Sequence, residues 1–450
     1  MVFRKFVFIS LSIVFTTFKL PAKAFAVEQP TAIFHAFNQQ YREVTKFVCT
    51  LADQGYSHVQ ISPAQKSNPS QEWWARYQPF DYSVIEGLGA EADLSNLTKT
   101  AHSCNIKVIA DVVFNHMADL NGNITKFPNL SPADFNTPSC GINYNDGNRI
   151  TELNCWLGSL PDLKFTENVE RIQKSHLRKL LNLGVDGFRF DAAKHMPPEV
   201  VKDYINYINQ ETKGKAWNYL EVIEDQDTKA EDYNWIAADE DFVLYNSMRG
   251  VFSFGGDLRS LPTIAVNDSR SVTFGANHDT IRIIDGKRND NALNPYDNIT
   301  DSYLATAYVL ARQDGTPLVL NEQNLNSPYI KFGVKFRQIM IQRGKEGKNV
   351  KENILRVLNS STVLMMERGS EGFFVENKGA GKFDVSTLDL TLTNLRGCYR
   401  ELRNNFTVAV EDRNSKKYVT RWGTGNRGGM DVQGRDALYF IRESFDKCSQ

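Results

Sequence analysis

The chain carries almost no surplus of either charge, with 52 Lys and Arg against 53 Asp and Glu. Nucleic acid and anionic membrane are therefore not expected as partners, because releasing counterions from a phosphate surface needs a basic face. After the first residues no apolar run approaches the roughly 20 residues that cross a bilayer, so no membrane segment is expected in the mature chain. There is no Cys-x-x-Cys pair, no internal repeat and no low-complexity tract. These absences remove the usual zinc and redox spacings and the solenoid architectures.

The first residues do carry a signal. Arg4 and Lys5 precede a largely apolar run from Phe6 to Phe18, and small-x-small sites follow at Ala22 to Ala24 and Ala24 to Ala26. This is the pattern of a secretory signal peptide, which predicts a leader over residues 1–26 and a secreted, extracellular protein. Export makes the cysteines readable: Cys49, Cys104, Cys140, Cys155, Cys398 and Cys448 are an even number, so three disulfides are expected in an oxidising compartment. Spacing alone leaves every pairing open.

At 450 residues the chain exceeds one ordinary compact domain but suits a barrel with insertions and an appended domain. Short apolar, β-branched runs alternate with helical ones: AIFHAF (32–37), HVQIS (58–62), KVIADVVF (107–114), GFRF (187–190), YLEVI (219–223), FVLY (242–245), SVTFGA (271–276) and PLVL (317–320). Eight strands separated by helical segments predict a closed parallel barrel of the (β/α)8 type, the TIM barrel. The helix expected over Val169–Leu183, apolar at Val169, Ile172, Leu177, Leu180 and Leu181 and stopped by Gly184, supplies outer layer. About 45 residues rich in Asn, Asp, Gly and Pro follow KVIADVVFNH and contain Cys140 and Cys155. They are too long for a simple loop and predict a small inserted domain over 117–163. From about Thr362, STVLMME, GFFVEN, LDLTLT, FTVAVE, KKYVTRW and ALYFIR predict a C-terminal antiparallel β-sandwich domain. The expected domains are thus a barrel over 27–355, interrupted by the insert, and a β domain over 356–450.

In a barrel the reactive groups come from the C-terminal ends of several strands, around one shared mouth. Asp191 ends GFRF, Glu221 falls at the end of YLE, and Asp279 follows FGANH. Taken singly, an acid at a strand end is as readily a cap or a surface residue. Three converging acids, however, suit glycosidic chemistry: an ionised nucleophile, a protonated donor to the leaving oxygen, and a third acid that steadies positive charge on the ring. Neighbouring anions raise the pKa of the donor, and Arg189, on the same strand face as Asp191, would hold the nucleophile ionised.

The blocks DVVFNH, GFRFDAAKH, EVI and FGANHD occur in that order, each at a predicted strand end, and strongly resemble the signatures of the alpha-amylase family of glycoside hydrolases. WWARYQPFDY (73–82) resembles the aromatic platform of its animal-type branch. The similarity runs through IFHAFNQQ, GYSHVQISPA and SLPDL to the β domain. The resemblance implies Asp191 as nucleophile, Glu221 as general acid/base and Asp279 as transition-state stabiliser, with retention of configuration. Retention in turn calls for carboxyls about 5 to 5.5 Å apart. It also implies sugar contacts from His116 and His278, stacking on Tyr77 beside Gln78, further platforms at Trp73 and Trp74, and Lys194 on the leaving-group side. The expected activity is hydrolysis of internal α-1,4 bonds in starch or glycogen by a monomeric enzyme. A transglycosylase, an oligosaccharide α-glucosidase, or a catalytically silent glucan-binding barrel are the alternatives.

The same resemblance implies a structural calcium ion held by the side chains of Asn115 and Asp162 and the backbone carbonyls of Leu153 and His195; hard oxygen donors of this kind are what calcium takes. It pairs Cys49 with Cys104, Cys140 with Cys155 and Cys398 with Cys448. For the branch's chloride, Arg189 and Asn277 match, but the second basic position falls on Leu318, and TIRIIDGKRNDNALNPY replaces the Gly-rich loop after the last acid. Activity largely independent of chloride is expected.

Overall fold

A computed structural model describes residues 28–145, 147, 149–263, 270–284, 286–289, 291–356, 360–421 and 431–448. The leader expected over 1–26 lies outside the described residues. Eight strands close a parallel barrel: β1 (Ile33–Ala36), β2 (His58–Ile61), β3 (Lys107–Val113), β4 (Gly187–Asp191), β5 (Tyr219–Leu220), β6 (Ala238–Glu240), β7 (Ser271–Thr273) and β8 (Thr316–Leu320). Ile33 pairs with Leu318 on one side and His58 on the other, which closes the ring. Around it run the helices α1 (Tyr41–Gln54), α2 (Glu91–Ser103), α3 (Glu167–Asn182), α4 (Pro198–Thr212), α5 (Phe242–Phe252), α6 (Ile299–Ala311) and α7 (Pro328–Lys345).

Helix α3 shows how sequence makes this layer. The Thr166 side chain accepts a hydrogen bond from the Val169 N–H at 3.3 Å, capping the start. Val169, Leu177 and Leu180 are buried on one face, and Gly184 turns the chain at φ +93° just beyond the end. Two polar residues on that buried face are satisfied by backbone: Gln173 donates to the Phe114 carbonyl at 2.9 Å, and His176 Nδ1 lies 2.9 Å from the Tyr82 carbonyl.

FVLY is not a strand. Residues 242–245 open helix α5, and the sixth strand is the preceding ADE. The Asp241 carboxylate accepts from the Leu244 N–H at 2.8 Å and starts the helix there. A four-residue apolar run has the same composition in a buried helix as in a strand.

The long connection after β3 forms short helical turns at Ile124–Lys126, Pro132–Asp134 and Ile150–Asn154, closed by the Cys140–Cys155 disulfide. The Cys49–Cys104 bridge ties α1 to the end of α2, and Cys398–Cys448 lies in the C-terminal domain. All three pairs are those the resemblance implies. The C-terminal domain is a seven-stranded antiparallel sheet with a two-stranded ribbon, Phe383–Asp384 against Asp431–Val432. The first strand of this sheet is Glu352–Arg356. LDLTLT is not one of its strands: Leu388 and Leu390 are buried, Leu392 is exposed, and only Asp389 bridges to Tyr418. Helix α7 and the strand Asp436–Glu443 join the two domains, with Phe336 packed on Tyr439 at 5.3 Å between ring centres.

Candidate active site

Strand β4 builds the floor. Phe188 and Phe190 are fully buried in the core toward the helices, so the alternate residues Arg189 and Asp191 turn into the barrel. Gly187 permits the close approach of the neighbouring strand, since a Cβ there would stand 1.9 Å from the Trp217 carbonyl oxygen. Arg189 is fully buried, and a buried cation is tolerated only when paired and hydrogen-bonded. Four carboxylates supply the pairing. Nη1 donates to both oxygens of Asp111 at 3.1 Å and to Asp191 Oδ1 at 2.7 Å. Nη2 lies 2.8 Å from Glu221 Oε1, and Nε donates to Glu240 Oε1 at 3.0 Å. One guanidinium thus holds Asp191 and Glu221 side by side through its neighbouring nitrogens.

The chain reverses directly after Asp191. Ala192 adopts the left-handed conformation at φ +49°, a sparsely populated state for a residue with a Cβ. The turn aims its N–H at Glu221 Oε2, 2.7 Å away.

Above this floor opens a cleft of about 760 Å³ lined by Trp73, Trp74, Tyr77, Gln78, His116, Asp191, Lys194, Glu221, His278 and Asp279, among others. All three acids and every expected sugar-contacting residue therefore share one wall or another of the same space, with Arg189 beneath it. Tyr77, His278 and Phe37 form a stack: ring centres are 4.9 Å apart for Tyr77 and His278 and 4.8 Å for Phe37 and His278. The Tyr77 hydroxyl donates to Asp111 Oδ2 at 2.9 Å, which fixes the ring's tilt. Trp73 and Trp74 are half-exposed at the rim. His278 Nε2 lies 3.3 Å from Asp279 Oδ2. Lys194 pairs with Asp225 and sits 4.7 Å from the centre of the Tyr144 ring. Two side chains are already engaged: His116 Nε2 is 3.1 Å from the Tyr77 carbonyl, and the Gln78 side-chain oxygen accepts from Asn68 at 2.9 Å. His116 therefore holds the Tyr77 segment as well as lining the cleft.

Electrostatics follow from five acids gathered about one cation. Burial, then the Glu221 carboxylate, raises Asp191 and Asp279 well above the usual carboxyl range, with Arg189 opposing. Burial pushes Asp111 up to about 6 and Glu240 up to about 7. Near neutrality the cluster consequently shares protons, and Glu240, whose two oxygens both accept hydrogen bonds, is the anion above about pH 7. Burial acts oppositely on the histidines, lowering His116 to about 4 and His278 well below its ordinary value, so both are neutral rings.

A second constellation lies where the insert meets the barrel. Asn115 Oδ1 and Asp162 Oδ1 are buried and have no hydrogen-bond partner. Asp162 Oδ2 accepts from Asn136 at 2.6 Å, and burial raises the Asp162 carboxyl to about 7. His195 Nδ1 lies 3.1 Å from the Glu152 carbonyl, which sets the His195 backbone against the helix that carries Leu153. Two orphaned oxygens in one buried place, one of them on a carboxylate without a countercharge, fit a hard cation. Among the described residues no group of three or more His, Cys, Asp or Glu side chains could hold a metal; a set made of an amide, one carboxylate and backbone carbonyls is not of that kind. The positions matched to chloride are differently filled. Asn277 Nδ2 donates to Glu240 Oε2 at 3.0 Å, Arg189 is bonded to the same carboxylate, and Leu318 is buried and apolar.

Two residues of this site escaped the reading of the sequence. Asp111 stands inside DVVFNH, where it looked like part of a strand; an acid on the same strand face as an inward arginine partner was the available signal. Glu240 gave less, lying in a short polar run beside an apolar stretch that looked more like the strand.

Residues 44–137 match the family model described as alpha amylase, catalytic domain. An alpha-amylase of Aeromonas hydrophila is 31% identical over 402 residues, covering 77% of this chain and 84% of that protein. One from Phaedon cochleariae is 29% identical over 300 residues, 60% of each chain. Among solved structures, a mutant alpha-amylase I of Eisenia fetida in complex with maltohexaose superposes with a TM-score of 0.74 at 21% identity, over 92% of this chain and 98% of that one. The alpha-amylase of Geobacillus thermoleovorans complexed with acarbose gives 0.69 at 19% identity, again over 92% and 98%. With the barrel, the acid cluster and a relative of this identity and coverage in agreement, the chain belongs to the alpha-amylase family of glycoside hydrolases.

Proposed function

We propose that the chain is a secreted alpha-amylase that cleaves internal α-1,4 bonds of starch- or glycogen-like glucans with retention of configuration. The observation that carries this reading is the cleft, where Asp191, Glu221 and Asp279 open onto a space walled by Trp73, Trp74 and Tyr77. Pyranose rings present C–H faces that aromatic rings accept, and the acids line the same cleft as those rings.

In this reading Asp191 attacks the anomeric carbon while Glu221 gives its proton to the departing oxygen. A glycosyl ester on Asp191 forms, and Glu221 then takes a proton from the water that releases it. The reaction needs Asp191 as its anion and a proton on Glu221 when the leaving oxygen arrives; Arg189, 2.7 Å from Asp191 Oδ1, favours that anion. Arg189 positions both carboxyls, and the Ala192 N–H fixes the far oxygen of Glu221. Asp279 supplies negative charge as the ring becomes cationic. The neutral His278 is suited to donate to a sugar hydroxyl, and His116 does the same on sharing its contact with the Tyr77 carbonyl.

Calcium belongs to the same proposal. Asn115 and Asp162, with the carbonyls of Leu153 and His195, would hold the ion, and it would supply the charge that Asp162 lacks and tie the insert to the strand ends. The Glu240 carboxylate bonded to Arg189 and Asn277 supports activity that does not depend on chloride. The leader over 1–26, the insert over 117–163, the β domain from about 356 and a monomeric state complete the reading. Reducing-end release from soluble starch, with and without calcium, tests it. Rapid loss of chain length with α-configured products is expected, and failure to release reducing ends in the presence of calcium would refute it.

A further inference from the structure

Glu240 does not reach the cleft, yet it is bonded to the supports of all three acids. Its Oε1 accepts from Arg189 Nε at 3.0 Å, and Arg189 holds Asp191 and Glu221. Its Oε2 accepts from Asn277 Nδ2 at 3.0 Å, and Asn277 Oδ1 accepts from the Asp279 backbone N–H at 3.1 Å. Glu240 is 2% exposed, and Arg189 and Asn277 are fully buried. One carboxylate therefore joins the β4 and β5 side of the site to the β7 side, through two rigid donors that water does not reach.

We propose that Glu240 is a positioning residue that acts as a built-in anion, and that the Arg189 and Asn277 donors around it form a receptor for a small monovalent anion once the side chain is removed. The inference rests on the roles proposed above for Asp191, Glu221 and Asp279. Truncation to alanine leaves a dry space of carboxylate size with the Arg189 Nε–H and the Asn277 Nδ2–H directed into it. Formate carries the missing carboxylate on one carbon and fits that space by charge and shape. Chloride matches the charge alone, and sulfate is too large and doubly charged for a site that lost one negative charge. Without an anion, Arg189 is free to swing toward the remaining carboxylates and Asn277 loses the partner that orients it, so the acids lose their mutual register while the substrate platforms stay in place.

The experiment is steady-state hydrolysis of soluble starch by Glu240→Ala in halide-free buffer, titrated with sodium formate, sodium chloride and sodium sulfate at constant ionic strength. We expect kcat to fall about 10-fold or more, as for loss of a preorganised electrostatic partner, with KM changed less, and formate to restore kcat saturably while sulfate does not. The wild type should show no response to any of the three. Glu240→Gln separates charge from space: it fills the cavity, so its loss of kcat should not be restored by formate. An Ala variant that keeps wild-type kcat, or one that loses activity with native near-UV circular dichroism and no saturable response to formate or chloride, overturns the proposal. If the Ala variant does not fold even in formate, the Gln variant decides: undiminished kcat overturns it, and reduced kcat with unchanged KM supports it. A wild type inactive on starch would instead defeat the functional reading beneath it.

Discussion

Asp162 offers the most quantitative test of the proposed calcium site. In the folded chain its carboxyl is raised from its ordinary 3.8 to about 7 by burial, against the hydrogen bonds from Asn136 and Asn115. At 1.36 kcal/mol for each tenfold change in proton affinity, that difference is on the order of 4 kcal/mol. The sign is fixed by linkage. Below about pH 4 the carboxyl is protonated in both folded and unfolded chains and costs nothing, whereas between there and about pH 7 the folded chain binds the extra proton and loses stability as pH rises. A calcium ion on Asp162 Oδ1 offsets this cost, and it does so only where the carboxyl would otherwise ionise. Stripping calcium with a strong chelator should therefore lower Tm by several degrees at pH 8 and by much less at pH 5. Asp162→Asn removes the ionisation: chelated, it should melt above the chelated wild type at pH 8, and it should gain less from added calcium. Scanning calorimetry of both proteins at pH 5 and 8 reads these quantities. A chelator effect that is absent, or equal at the two pH values, would refute the assignment.

Other perturbations address the rest of the site. Tyr77→Phe removes one of two donors to Asp111 Oδ2, which keeps Arg189 Nη1 at 3.1 Å, so denaturant unfolding should show the loss of a single hydrogen bond, about 1 kcal/mol, while the ring stack on His278 persists. Arg189→Lys replaces a planar fork serving four carboxylates with a single ammonium, and kcat on starch should fall about 100-fold or more. Replacing Cys140 and Cys155 together by alanine opens a loop spanning 15 residues, worth about 3 kcal/mol in chain entropy; faster limited proteolysis within 117–163 should report it. Adding chloride to salt-free wild type should leave the initial rate unchanged, and several-fold stimulation would contradict the role given to the Glu240 carboxylate.

Much of the architecture was legible because the barrel repeats one pattern, a short apolar run followed by an amphipathic helix, and because strand ends face one mouth. Asp191, Glu221 and Asp279 were readable as a set for that reason. Where interior and surface exchange roles, the reading fails. The barrel lumen here is polar, so Asp111 is hidden inside the well-marked apolar run of β3, whereas Glu240 lies in a strand that hydrophobicity defines poorly, and ADE yielded to FVLY as the expected sixth strand. LDLTLT alternates like a strand, but the turn Val385–Thr387 and the Thr393 hydroxyl bonded to the Leu390 carbonyl hold it otherwise. Conversely ENILR and GCYRE are strands of the C-terminal sheet that carry too few apolar residues to announce themselves. The pairing of orphaned oxygens on Asn115 and Asp162 is a property of three dimensions, reached in the sequence only through family resemblance.

The central claim is a division of labour between two carboxyls on one guanidinium, and a trapped intermediate tests it most directly. Glu221→Gln should barely hydrolyse starch yet still react with an α-maltosyl fluoride, whose leaving group needs no proton donor. Mass mapping of the digested variant should then find a maltosyl ester on the peptide containing Asp191. A near wild-type rate on starch, or an ester on any other carboxyl, would contradict the account.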